Sequence, residues 1–128
     1  MDSSGGTPRN LQEEIGKVSA FDLPEQEAFL NLLRTHAELA GDFATLFKEF
    51  GLSEPQYNAL RIVAAAGARG IRSETIGVQM IARDPDTTRL IDRLAKAGLV
   101  ARARSEEDRR CMLVGITDEG RQMLRRLR

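Results

Sequence analysis

Between residues 85 and 116 the apolar residues of this chain change period. From Pro85 to Ala97 they fall at Leu90, Ile91, Leu94 and Ala97, the three-and-four spacing of one helix face. After Gly98 they alternate, through Val100-Ala101-Arg102-Ala103-Arg104 and again through Met112, Val114 and Ile116, which is the period of a strand. The polar stretch from Ser105 to Arg110 separates the two alternating runs. These residues predict a helix, a glycine stop and a two-stranded ribbon with a charged tip. Thr117-Asp118-Glu119 then caps a last helix that runs to Arg128.

Upstream, Ser73 can cap a short helix through about Ile81, with Ile76, Met80 and Ile81 facing inward, and Asp84 with Pro85 supplies a cap and a first helical position for the next one. Two short helices across a tight turn predict a helix-turn-helix. Ile71 stands alone between Gly70 and Arg72. Ser53-Glu54-Pro55-Gln56 is a capping-box pattern that opens a helix carrying Tyr57, Leu60, Ile62 and Val63 up to Gly67. Asp22-Leu23-Pro24-Glu25 starts an earlier helix, on which Phe29, Leu32, Leu33, His36, Leu39, Ala40, Phe43, Phe47 and Phe50 recur before Gly51. That helix has about 27 residues and a length of roughly 40 Å. A stripe so long exceeds the core available to it, so part of it is expected to meet a second subunit.

The fold expected is mainly α (α+β), a winged helix-turn-helix with a long N-terminal helix and a two-stranded β-wing. Residues 1–21 are expected to form a mobile segment, because Met1 to Asn10 is Gly/Ser-rich and polar, while Leu11 to Ala20 is ambiguous. Residues 22–128 are expected to be a single domain with dimerisation helices at both ends and, at about 53–117, a lobe made of the helix-turn-helix and the ribbon.

Several classes of function are set aside by the same residues. No apolar run approaches the roughly 18 residues needed to span a bilayer, so a cytoplasmic protein without a membrane partner is expected. The one cysteine, Cys111, and the one histidine, His36, sit in no cluster with metal-ligand spacing, and neither metal nor cofactor is expected. Cys111 reads as a small strand residue and His36 as a packed or interface histidine. Glu106-Glu107-Asp108 reads as solvated loop charge paired with Arg109 and Arg110, and Gly67-Ala68-Arg69-Gly70 lacks the Lys-Ser/Thr of a phosphate loop. No catalytic constellation remains, and the protein is not expected to be an enzyme.

The formal net charge is zero, but it is unevenly laid out. Residues 1–70 hold six Lys/Arg against ten Asp/Glu, and residues 71–128 hold thirteen against nine. The basic half contains the helix and ribbon just described. A helix fits the B-DNA major groove, about 12 Å wide, and the minor groove beside it accepts arginine side chains. The helix after the turn exposes Pro85, Thr88, Arg89, Asp92 and Lys96, with Thr87 at its margin and Arg93 alongside, and the ribbon tip carries Arg109 and Arg110. Pro85, Thr87, Thr88, Arg89, Arg93, Lys96, Arg109 and Arg110 are therefore the candidate DNA-contacting residues.

The runs Asp86-Thr87-Thr88-Arg89-Leu90-Ile91-Asp92-Arg93-Leu94, Lys96-Ala97-Gly98-Leu99-Val100, Ser105-Glu106-Glu107-Asp108-Arg109-Arg110 and Ile116-Thr117-Asp118-Glu119-Gly120 resemble the MarR family over about residues 22–128. The resemblance implies a homodimeric, sequence-specific regulator, commonly a repressor, that binds double-stranded DNA at an inverted-repeat operator and is released by a small aromatic acid or an oxidant. By position it implies Thr88 and Arg89 at the reading end of the recognition helix and a wing arginine in the minor groove, with Asp108 holding the wing by pairing with a neighbouring arginine. In the family the last helix continues further than the ten or so residues that follow the cap here. A truncated chain, or a dimer resting on the N-terminal helix, are the two alternatives this leaves. The competing reading is a winged-helix module for protein-protein contact without DNA binding, which needs neither the Thr88-Arg89 pair nor the ribbon-tip arginines.

Overall fold

The computed structural model describes residues 10–17, 19–82 and 86–128. The fold is mainly helical. Its elements are α1 (Leu11–Glu14), α2 (Pro24–Glu49), α3 (Glu54–Ala66), a 3-10 turn (Gly67–Arg69), β1 (Ile71–Arg72), α4 (Ser73–Gln79), α5 (Thr87–Lys96), β2 (Val100–Arg104), β3 (Met112–Ile116) and α6 (Asp118–Arg126). Among the described residues no helix is long and apolar enough to cross a membrane. The chain forms two compact units, one up to Asp42 and one from Phe43 to Arg128.

In the first unit, α1 is capped by Asn10, whose side chain accepts from the Glu13 N–H. Leu11 is buried, so the ambiguous stretch after Asn10 begins as a short helix. Arg34 Nε lies 3.4 Å from both Glu14 Oε2 and Glu38 Oε1. The α2 residues of this unit leave Phe29, Leu32, Leu33 and Leu39 exposed, and His36 is exposed with them.

The second unit has one core. Leu60 and Val63 from α3, Ile76 from α4, Ile91 and Leu94 from α5 and Val114 from β3 are its largest fully buried side chains. Phe47, at the end of α2, is also buried and stacks on Tyr57 with ring centroids 4.5 Å apart. The capping box opening α3 forms as the sequence implies: Ser53 Oγ accepts from Gln56 N–H and Gln56 Oε1 accepts from Ser53 N–H. At the far end, Thr117 Oγ1 accepts from Gly120 N–H and donates to Gly98 O at 2.6 Å, so the cap of α6 is also a tie to the end of α5. Gly98 has φ +75°, a turn that an L side chain resists.

The structure departs from the sequence reading at several places. The wing is a three-stranded antiparallel sheet of order β1-β3-β2, not a two-stranded ribbon. Ile71, read as isolated, pairs with Val114, and Arg72 with Leu113. Gly70 makes this possible: it has φ +72°, and a Cβ on it would lie 3.1 Å from both Leu113 Cβ and Val114 O. Ser73 is the first residue of α4 rather than its cap; that position is held by Arg72, which makes no side-chain cap bond. α4 ends at Gln79, so helical spacing no longer governs Ile81, and this residue is 92% exposed instead of facing inward. Ala97, at the end of α5, is exposed, and the half-buried Ala95 packs on the core in its place. The helix start placed at Asp84 and Pro85 falls outside the described residues. The cap described is Asp86, whose side chain accepts from Arg89 N–H at 3.1 Å; α4 ends at Gln79 and α5 begins at Thr87.

Candidate nucleic-acid interface

Helix α5 is divided along its length by its sequence. Leu90, Ile91 and Leu94 face the core, which turns Thr88, Arg89, Asp92, Arg93 and Lys96 outward, all of them exposed. Thr87 is half-buried where α4 meets α5. Of the candidate contacts on this helix, Pro85 lies outside the described residues and the others, Thr87 apart, share the open face. Arg89 Nε is 3.3 Å from Asp86 Oδ2, so its guanidinium leans on the helix cap and not on Asp92. Asp92 has another partner, Arg102 on β2, with Nη2 to Oδ1 at 2.6 Å.

The loop between β2 and β3 is shaped by its own side chains. Ser105 Oγ accepts from the N–H groups of Glu107 and Asp108, at 3.2 and 3.3 Å. Asp108 Oδ1 accepts from the Arg110 backbone N–H at 3.0 Å, so Asp108 organises the tip through the Arg110 main chain and not through its guanidinium. Arg104 Nη1 donates to Arg109 O at 2.9 Å, and main-chain bonds from Ser105 N–H to Cys111 O and from Cys111 N–H to Asp108 O close the loop, each 2.9 Å. Arg109 and Arg110 thus sit at an ordered tip, and both are exposed. Cys111, half-buried, lies at the base of the tip beside Arg72 and Asp108.

Sequence reasoning named most of this surface but missed three residues that position it. Asp86 was passed over as a cap because Asp84-Pro85 carries the stronger local signal. The reach from Asp92 to Arg102 crosses Gly98 and joins two elements, and no local pattern announces it. Asn58 on α3, whose Oδ1 accepts from the Ile81 N–H at 3.0 Å, is joined across more than twenty residues and left no trace in the pattern.

Three helices packed on one core, the last with a polar outward face, followed by an antiparallel sheet tied to that face through Arg102 and Asp92, define a winged helix-turn-helix domain. Residues 52–112 match the model of the MarR family. The crystal structure of a MarR transcription factor from Planctomyces limnophilus superposes with a TM-score of 0.70 at 40% identity, covering 84% of this chain and 78% of that one. This chain belongs to the MarR family of winged-helix transcriptional regulators. It is 28% identical over 127 residues to the transcriptional repressor MprA of Escherichia coli, covering 98% of this chain and 72% of the relative. CouR from Rhodococcus jostii RHA1, solved with bound p-coumaroyl-CoA, has a TM-score of 0.68 and 25% identity, with 80% of this chain and 71% of that one covered.

Proposed function

We propose that this protein is a homodimeric, sequence-specific DNA-binding repressor that addresses an inverted-repeat operator and is released by a small aromatic acid. The observation carrying the reading is the open face of α5, with Thr88, Arg89, Arg93 and Lys96, tied through Asp92 and Arg102 to a sheet whose ordered tip bears Arg109 and Arg110. A face of that size and polarity suits the major groove, and arginines on an extended arm suit the negative potential of the minor groove. Asp108 serves the wing by fixing its tip. The exposed Phe29, Leu32, Leu33 and Leu39 supply an apolar face for a second copy. Two copies related by a two-fold axis would set their reading helices about one DNA turn, roughly 34 Å, apart. MprA supports the repressor role, and CouR, bound to an aromatic acyl thioester, supports the class of inducer.

Fluorescence anisotropy with labelled duplexes tests this reading. Binding to random duplex at low salt that weakens steeply with added salt, and tighter binding to an enriched inverted repeat, are the expected results. Benzoic and phenolic acids at millimolar concentration should then lower operator affinity, because the ligand must favour a state that fits DNA less well. Absence of any DNA binding at low salt would leave the domain as a protein-contact module.

A further inference from the structure

Apolar side chains held in water mark a surface that meets something else. In the unit from Phe43 to Arg128, two of the described ones stand well above the rest: Val78 is 85% exposed and Ile81 92%, whereas Phe43, Leu46 and Met112 lie at 50% or below. The local structure keeps both in the open. Met80, between them, takes extended backbone at the end of α4 and buries its own side chain. The next N–H, that of Ile81, donates to Asn58 Oδ1, which pins the main chain to α3 while the Ile81 side chain remains in solvent. The same turn of α4 lies against the reading helix, since a Cβ on Gly77 would be 3.1 Å from Thr87 Oγ1. Val78 and Ile81 thus follow, one and four residues on, the point at which α4 meets the N-terminal turn of α5, the end that carries Thr88 and Arg89.

We propose that Val78 and Ile81 form an apolar reading patch that contacts thymine C5-methyl groups at the edge of the site addressed by α5. The inference rests on the DNA-binding reading above and adds a base preference to it. Neither side chain has a donor or acceptor, so whatever they recognise is recognised by carbon. In the major groove the thymine methyl is the apolar group that distinguishes one base pair from another. Both side chains branch at Cβ and hold few rotamers, so ordering them against a methyl loses little entropy. Two side chains are too small a patch for a protein partner, which takes on the order of 800 Å² from each side, but they match one or two methyl groups.

The protein is used to enrich duplexes from a random-sequence pool, and the best-bound duplex is resynthesised with deoxyuridine replacing each thymidine in turn, a change that removes one methyl group alone. At one or two positions the wild-type affinity should fall by about fourfold, the value of one buried methyl. The double variant Val78→Ala, Ile81→Ala should bind the thymidine and deoxyuridine duplexes equally at those positions, with an unchanged thermal melt, since both side chains are exposed. Equal losses by the variant on the thymidine and deoxyuridine duplexes at every position overturn the proposal and leave DNA binding standing. Failure of the wild type to enrich or bind any duplex overturns the DNA reading itself, and the patch with it.

Discussion

Arg102 Nη2 lies 2.6 Å from Asp92 Oδ1, and this one ion pair joins β2 of the wing to the outward face of α5. The two side chains are 30% and 50% exposed, so solvent screens the attraction and the pair adds little to stability, on the order of 0.5 kcal/mol. Its effect is geometric, because it ties together two elements that the proposed function assigns to different grooves.

A double-mutant cycle of Asp92→Asn and Arg102→Gln should give a coupling of about 0.5 kcal/mol in urea unfolding, smaller again in 1 M salt. Operator affinity should fall by more than the stability does, since the wing loses its bearing on α5. A cycle in which DNA affinity is unaffected would show that the wing is held without this pair.

The two arginine sites should separate by what they read. Arg89→Ala is expected to cost about 1 to 3 kcal/mol on the enriched operator and much less on random duplex, because arginine pairs with guanine O6 and N7 in the major groove. Arg109→Ala or Arg110→Ala should weaken binding to most sequences alike and reduce the salt slope by about one unit. Anisotropy titrations at three or more salt concentrations on both duplexes measure the difference, and identical profiles for the two sites refute it.

Gly120 admits no side chain. A Cβ there would be driven into the carbonyl oxygen of Leu99 and to 2.8 Å from Ile116 Cγ1, since Gly120 is the buried residue of the first turn of α6. Gly120→Ala should destabilise the fold by at least 1 to 3 kcal/mol, measured as a drop in urea midpoint. Gly115→Ala is the control: a Cβ on it meets nothing within 4 Å, and its effect should be a few tenths of a kcal/mol at most.

The apolar face of α2 gives a concentration-dependent prediction. Leu32 is 71% exposed and Phe29 61%, so Leu32→Glu changes nothing in a core. Sedimentation velocity should show the wild type as a dimer of the 14.2 kDa chain at micromolar concentration and the variant shifted toward monomer. A wild type that remains monomeric throughout removes the homodimer from the proposal.

What was legible in the sequence follows from the range of the interactions involved. The capping box at Ser53, the division of α5 by Leu90, Ile91 and Leu94, and the alternation that becomes β2 and β3 all depend on neighbours within four residues, and each forms in the structure. The misreadings have the opposite cause. Ile71 becomes a strand only because β3, some forty residues later, lies beside it. Ile81 follows a helical spacing that ended two residues earlier. Asp92 was placed on the outward face, but its bond to Arg102 depends on how the chain folds back after Gly98. The outward residues of α5 and the wing tip were thus readable by name, whereas what holds them at a fixed angle was not.

The two-residue strand β1 has a mechanical consequence. It ends at Arg72 and α4 begins at Ser73, so the first helix of the helix-turn-helix grows directly out of the sheet whose other edge is the wing. β3 is clasped between β1 and β2, and β2 is tethered to α5 through Arg102, so the sheet is tied to the helices at both of its edges. The lobe is thus built like a caliper whose two arms, α5 and the sheet, are joined by more than one tie. In the dimer proposed above, a signal that releases DNA would act by changing the gap between two such calipers.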